Sequence, residues 1–128
     1  MKSKPLVAVA LAVGLLLVSR VALAHHGANL YDMSKAVTLK GTVTKFVWGS
    51  PHNQVFFDVT DEKGEVAHWV VSTEPALVML ERGWTGKAIK AGDQVTLIAN
   101  PNKVGARVVF LQKVVFTDGK ELTTAKAF

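Results

Sequence analysis

The sequence predicts a mainly β protein: a small five-stranded barrel of the OB-fold type, with one short helix between the third and fourth strands. Five segments between residues 37 and 117 have the two-residue alternation or the β-branched, apolar content of strands, and turn residues separate them. One stretch with helix start and stop signals, residues 74–83, follows the third segment. A β-sandwich-like roll, with the helix plugging one end, is the alternative.

The first predicted strand runs from residue 37 to a corner at residues 48–51, where Pro51 has no N–H to donate to a sheet. Its alternation changes on the way, because Lys45 falls on the apolar parity and Phe46 on the polar one. A bulge or strong bend between Gly41 and Lys45 would explain the change. A small barrel needs such a bend to close, so the pattern favours a barrel.

The second and third predicted strands form a hairpin, with Gly64 in the turn that joins them. Pro75 fits the first turn of the helix that follows, and Gly83 ends it. Leu77 and Leu80 share one face of this helix. Because the helix is too short to be stable alone, we expect it to pack on the barrel.

The first 24 residues have the three parts of a secretory signal: a charged head, an apolar run over residues 6–18 and the exit Ala-Leu-Ala. A membrane-spanning helix needs about 20 apolar residues, so we expect cleavage after Ala24 and no stable membrane span. The protein would then be periplasmic or secreted. The alternative is an uncleaved N-terminal anchor. The predicted divisions are a signal peptide at 1–24, an N-terminal segment at 25–36, the barrel at 37–122 and a loose C-terminus at 123–128.

Composition excludes some functions. The absence of cysteine rules out disulfides, thiolate metal sites and cysteine nucleophiles. The formal net charge of +5 includes three basic residues of the signal, which leaves 12 basic and 10 acidic residues in the remainder, a net charge of +2. Because nucleic-acid binders carry clustered basic faces, we expect no nucleic-acid partner.

The four histidines give the most specific indication of function in the sequence. Cleavage after Ala24 would leave His25 with a free α-amine and an imidazole, which together chelate Cu(II) well. A further imidazole from His26, His52 or His68 would complete a nitrogen-rich site. We therefore predict a metal site from these four histidines, with copper first and zinc second. The alternative is a solvated His-His terminus, with His52 hydrogen-bonded to its own turn and His68 exposed.

Other side chains suggest a surface for an organic ligand. Trp48, Asn53 and Trp69 are the predicted contacts. Phe46, Trp48, Phe56 and Trp69 would line an aromatic face of the kind that OB barrels use to bind oligonucleotides and oligosaccharides. The competing interpretation assigns these aromatic residues to the core.

Several short motifs occur in a fixed order along the chain: Ala24-His25-His26, Gly41-Thr42-Val43, Trp48, Pro51-His52, Trp69, Arg82-Gly83-Trp84, Ala91-Gly92-Asp93 and Asp118-Gly119. With them the chain resembles a family of uncharacterised exported bacterial proteins, domain of unknown function 6152. Ser50 stands where the corner of that family usually has Asn. The resemblance implies an exported small β-domain and brings no activity, ligand or catalytic residue.

Nothing in the sequence has the form of a catalytic motif. Ser50, His52 and Asp58 lie near one another in the chain, but Ser50 has no nucleophile elbow. We therefore expect a binding or accessory module rather than an enzyme. Its ligand would be copper or zinc at His25, or else an envelope oligosaccharide, peptide or protein with no metal involved.

Overall fold

The computed structural model describes residues 29–49 and 52–124 of the chain. They form six strands and one helix, in the order β1 (Val37–Val47), β2 (Gln54–Thr60), β3 (Val66–Ser72), α1 (Ala76–Leu80), β4 (Gln94–Pro101), β5 (Val108–Phe116) and β6 (Glu121–Thr123). Within this part of the chain no helix is long and apolar enough to cross a membrane. The predicted signal, His25, His26, Ser50 and Pro51 lie outside the described residues.

The strands form one sheet in the order β3-β2-β1-β4-β5-β6, and an additional pairing of β3 with β5 closes the first five strands into a barrel. The β3–β5 pairing is parallel, and it joins Val70–Ser72 to Val108–Phe110. All the other pairings are antiparallel. The predicted five-stranded OB-type barrel is confirmed, with β6 as a short addition beside β5.

β1 pairs with two different strands, one along each of its halves. Its first half pairs with β4 as far as Thr42, and its second half pairs with β2 from Thr42 onwards. The register shifts between Val43 and Lys45, which is the predicted bulge. At Gly41 a Cβ would lie 2.0 Å from the carbonyl oxygen of Asp58, so only glycine fits where the strand bends.

The helix packs on the barrel through Met79 rather than through Leu77 and Leu80. Met79 is fully buried, whereas Leu77 is 78% exposed and Leu80 is 49% exposed. In the turn after the helix, the Trp84 N–H donates to the carbonyl oxygen of Met79 at 3.1 Å. Trp84 is fully buried and belongs to the same core cluster as Met79.

The C-terminal boundary lies further along the chain than predicted. Thr123 ends β6, and Thr124 is fully buried, with its hydroxyl donating to the carbonyl oxygen of Leu111 at 2.5 Å. The Trp84 indole donates to Thr123, and the Arg82 guanidinium donates to Thr124. The expectation that Thr123 and Thr124 are loose is therefore wrong. Residues 125–128 lie outside the described residues.

The barrel unit begins at Tyr31, before the predicted boundary at residue 37. Tyr31 is buried and forms a bridge with Asn102. Its hydroxyl donates to Ser72 Oγ at 3.0 Å, and its ring centroid lies 5.5 Å from that of Phe110. Tyr31 therefore contacts both strands of the parallel β3–β5 pair.

Asn53 fixes the corner between β1 and β2. Its side-chain oxygen accepts from the Gly49 N–H at 2.9 Å, and its amide donates to the carbonyl oxygen of Glu74 at 3.2 Å. The same amide lies 3.4 Å from the Met79 sulfur. Asn53 is fully buried, so its hydrogen bonds tie the corner to the start of the helix.

We predict that Asn53→Ala lowers the free energy of unfolding by about 2–3 kcal/mol, because it leaves two backbone groups without partners. Asn102→Ala is the matched control, since Asn102 accepts from the Val104 N–H in an exposed loop. We expect the control to cost less than about 1 kcal/mol. Urea unfolding measures both variants, and equal losses would contradict the assigned role of Asn53.

Candidate functional site

A row of side chains crosses four strands on the outer face of the barrel. The register places Lys45 of β1, Phe56 of β2, Val70 of β3 and Val108 of β5 next to one another. They point outwards because their neighbours along the strands, such as Phe57, fill the core. We call these four residues the outer row.

The outer row combines a cation with a partly exposed apolar strip. Phe56, Val70 and Val108 are each partly exposed, and Lys45 is exposed. The Lys45 ammonium lies 5.8 Å from the centroid of the Phe56 ring, which is within the range of a cation–π contact. The bulge in β1 produces this contact, since it brings Lys45 rather than Thr44 opposite Phe56.

A carboxylate and an imidazole meet beside the outer row. Asp58 of β2 pairs with His68 of β3, and Asp58 Oδ1 lies 2.7 Å from His68 Nδ1. An ionised carboxylate only accepts hydrogen bonds, so Nδ1 is the donor in this contact, which leaves Nε2 as the ring nitrogen for a ligand. The His68 side chain is 81% exposed, so the ring is accessible.

The structure separates His52 from His68. Gln54 pairs with Ser72 and Asp58 pairs with His68, so these two rungs are four residues apart, or about 13 Å along the strands. His52 is exposed and precedes Gln54 by two more residues. The register therefore places the two histidines towards opposite ends of the β2–β3 hairpin. Among residues 29–49 and 52–124, no three His, Asp or Glu side chains converge on a possible metal position.

The three predicted ligand contacts occupy different environments. Asn53 has no exposed surface and uses its side chain within the corner, so the prediction that it contacts a ligand is corrected. Trp48 packs against the core, 5.8 Å from Phe46 between ring centroids. Trp69 is also partly buried against the core, and its indole N–H is buried without a hydrogen-bond partner in the described structure.

Sequence reasoning missed most of the outer row. Phe56 was considered as an aromatic surface residue, whereas Lys45 and Val70 were not. Strand parity could have identified Val70, because it lies on the opposite parity to the buried Val71. Lys45 could not be placed in the same way, since the bulge next to it reverses the parity of β1.

Two solved structures are similar to this chain in fold, and both are of single-stranded DNA binding proteins. The first, mitochondrial Rim1 of S. cerevisiae, has 7% sequence identity and a TM-score of 0.50, and the match covers 65% of this chain and 93% of that one. The second, SSBb of Mycobacterium smegmatis, has 15% identity and a TM-score of 0.42, with 65% and 88% covered. At these identities the likeness concerns the fold.

The prediction that the chain has no nucleic-acid partner is wrong. It relies partly on the low net charge of the chain, yet a solved structure that is similar in fold, mitochondrial Rim1 of S. cerevisiae, is that of a single-stranded DNA binding protein. Net charge does not describe how charges are distributed on a surface. Here a lysine stands against a partly exposed aromatic ring, on the outer face of the barrel.

Sequence comparison identifies the family. No curated protein matches the chain. The model of the family of unknown function DUF6152 matches residues 12–110, which is more than half of the sequence. The match extends from before the described part of the chain into β5. The chain therefore belongs to the family of unknown function DUF6152.

Proposed function

We propose that this chain is an exported binding module that holds a Cu(II) ion, with zinc as the second choice, between His68 and the N-terminus of the mature protein. The observation that carries the proposal is the Asp58–His68 pair. Metal-binding histidines generally donate their second ring N–H to a carboxylate, which fixes the ring and raises the basicity of the free nitrogen. His68 is held in this way before any metal is present.

The remaining ligands would come from the mature N-terminus. Cleavage after Ala24 would expose the α-amine and imidazole of His25, which form a chelate suited to Cu(II), and His26 would follow. His25 precedes Tyr31 by six residues, which span at most about 20 Å. Tyr31 is bonded to Ser72, and Ser72 lies about 13 Å along β3 from His68. The proposal requires the His25 nitrogens to reach the exposed imidazole of His68.

We predict that His68→Ala weakens Cu(II) binding at least about tenfold and that the matched variant His52→Ala leaves it unchanged. Both histidines are exposed, and they lie towards opposite ends of the β2–β3 hairpin. The measurement is a Cu(II) titration followed by electron paramagnetic resonance, on protein exported and cleaved by its own signal.

Two further variants make this test sharper. Asp58→Asn should weaken binding less than His68→Ala, because it removes the carboxylate partner and keeps the ligand. One extra residue before His25 should abolish the nitrogen-rich spectrum. Wild-type affinity in His68→Ala would refute the proposed site, and wild-type affinity in the extended protein would refute the role of His25.

A second candidate ligand, single-stranded nucleic acid, is favoured by the outer row. A base can stack on a partly exposed aromatic ring for about 1–3 kcal/mol, and a neighbouring cation attracts the phosphates. Phe56 and Lys45 supply these two features. Arg107, on the loop before β5, lies next to the row because its carbonyl oxygen accepts from the Val70 N–H at 3.0 Å.

We predict that Phe56→Ala and Lys45→Ala each reduce the affinity for a fluorescent oligothymidine about tenfold at low salt. Leu77→Ala is the control, because Leu77 is an equally apolar, more exposed side chain on the helix. Fluorescence anisotropy measures all three variants. Unaltered binding by Phe56→Ala, or no binding by the wild type at low salt, would eliminate this candidate.

The sequence-based alternative, a module for an envelope oligosaccharide, peptide or protein without a metal, also remains a proposal. Failure of both titrations would make it the leading one. The outer row supports it, because a partly exposed apolar strip flanked by polar groups suits contact with an organic ligand.

A further inference from the structure

A groove of about 600 Å³ opens on the outer surface where β2 separates from β1. β1 pairs with β2 up to Thr42 and Asp58, and its first half pairs only with β4. Thr60, two residues beyond Asp58, is therefore unpaired with β1 and forms one wall of the groove. Gln94 and Thr96, at the start of β4, also line the groove.

Gly41 is among the lining residues. A Cβ at position 41 would point towards the core, 2.0 Å from the carbonyl oxygen of Asp58 and 3.2 Å from the Phe57 ring, so the glycine lets β2 approach β1 closely at Asp58. A volume of about 600 Å³ is within the usual range of small-molecule sites, about 300–1,000 Å³.

The lining is rich in uncharged hydrogen-bonding groups. Four threonines contribute hydroxyls, and these are Thr42, Thr60, Thr96 and Thr117. Gln94 adds a side-chain amide. Among the described residues, these five side chains make no hydrogen bonds with one another or with other side chains. Their donors and acceptors are therefore available to a ligand.

The side chains that line the groove carry no net formal charge. Lys40 is the one cation among them, and Asp58 is the one anion. The pair argues against a polyanionic ligand, which a carboxylate would repel and a single lysine would hold weakly. Val95, Val115 and Phe116 add apolar surface to the lining, so the groove suits a ligand that has both hydroxyl groups and an apolar face. Asp58 engages His68 through Oδ1, so Oδ2 can accept from a ligand hydroxyl.

We propose that this groove binds a neutral carbohydrate of two or three sugar units. Sugar hydroxyls both donate and accept, as the threonine hydroxyls and the glutamine amide do, and a carboxylate oxygen accepts from them strongly. Val115 adds a small apolar contact for a ring face. The site shares Asp58 with the proposed metal site and is otherwise separate from it and from the outer row. It gives the oligosaccharide alternative a specific location.

The test is a nuclear magnetic resonance titration of metal-free processed protein with maltotriose, cellotriose and tri-N-acetylchitotriose, each up to about 20 mM. At least one sugar should shift the backbone amides of Thr42, Thr60, Gln94 and Thr96, while the amides of Phe56 and Val70 stay unchanged. No shift with any of the three sugars, or shifts confined to the outer row, would overturn the proposal.

Isosteric variants test the hydroxyls. Thr42→Val and Thr96→Val keep the β-branched shape, and each should weaken the binding of the active sugar about fivefold by removing a hydrogen bond. Thr38→Val is the matched control, because Thr38 is exposed on β1 outside the groove, and it should bind like the wild type. Wild-type affinity in both groove variants would overturn the proposal. These variants leave His68 and Lys45 intact, so this failure is distinguishable from failure of the metal or nucleic-acid proposal.

Discussion

The structure depends on one strand, β1, pairing with a different neighbour along each of its halves. In a small closed barrel such a strand has to bend, and β1 has a glycine where the Asp58 carbonyl approaches and a bulge before Lys45. Both surface features follow from that bend. The register shift brings Lys45 against Phe56, and the separation of β2 from β1 opens the threonine-lined groove. Barrel closure and the candidate binding surfaces therefore have the same physical origin.

Asp58 connects the proposed metal site at His68 with the groove. Its carboxylate orients His68 on one side and lines the groove on the other. A metal at His68 would draw electron density from the imidazole and tighten its bond to the carboxylate. A sugar hydroxyl on the other oxygen would compete for the same charge. Binding at the two proposed sites is thus expected to be coupled through a single side chain.

The sequence predicted the parts of the fold that depend on local pattern. Period-two alternation located the strands, and the parity change at Lys45 indicated the bulge. It could not predict features that depend on distant contacts. Asn53 is buried because its amide reaches the backbone of Glu74, which lies 21 positions further along the chain. Likewise, only the β2–β3 register separates His52 from His68, so sequence alone left both as possible partners of His25.

The parallel pairing of β3 with β5 closes the barrel, and it has only three residues on each strand. We call this pairing the seam. Tyr31 fastens one end of it, with its hydroxyl on Ser72 and its ring against Phe110. Because only three residues of each strand pair there, local opening of the barrel should begin at this seam. Tyr31 is the first residue of the barrel unit, so anything that displaces it from Ser72 and Phe110 would also change how readily the barrel opens.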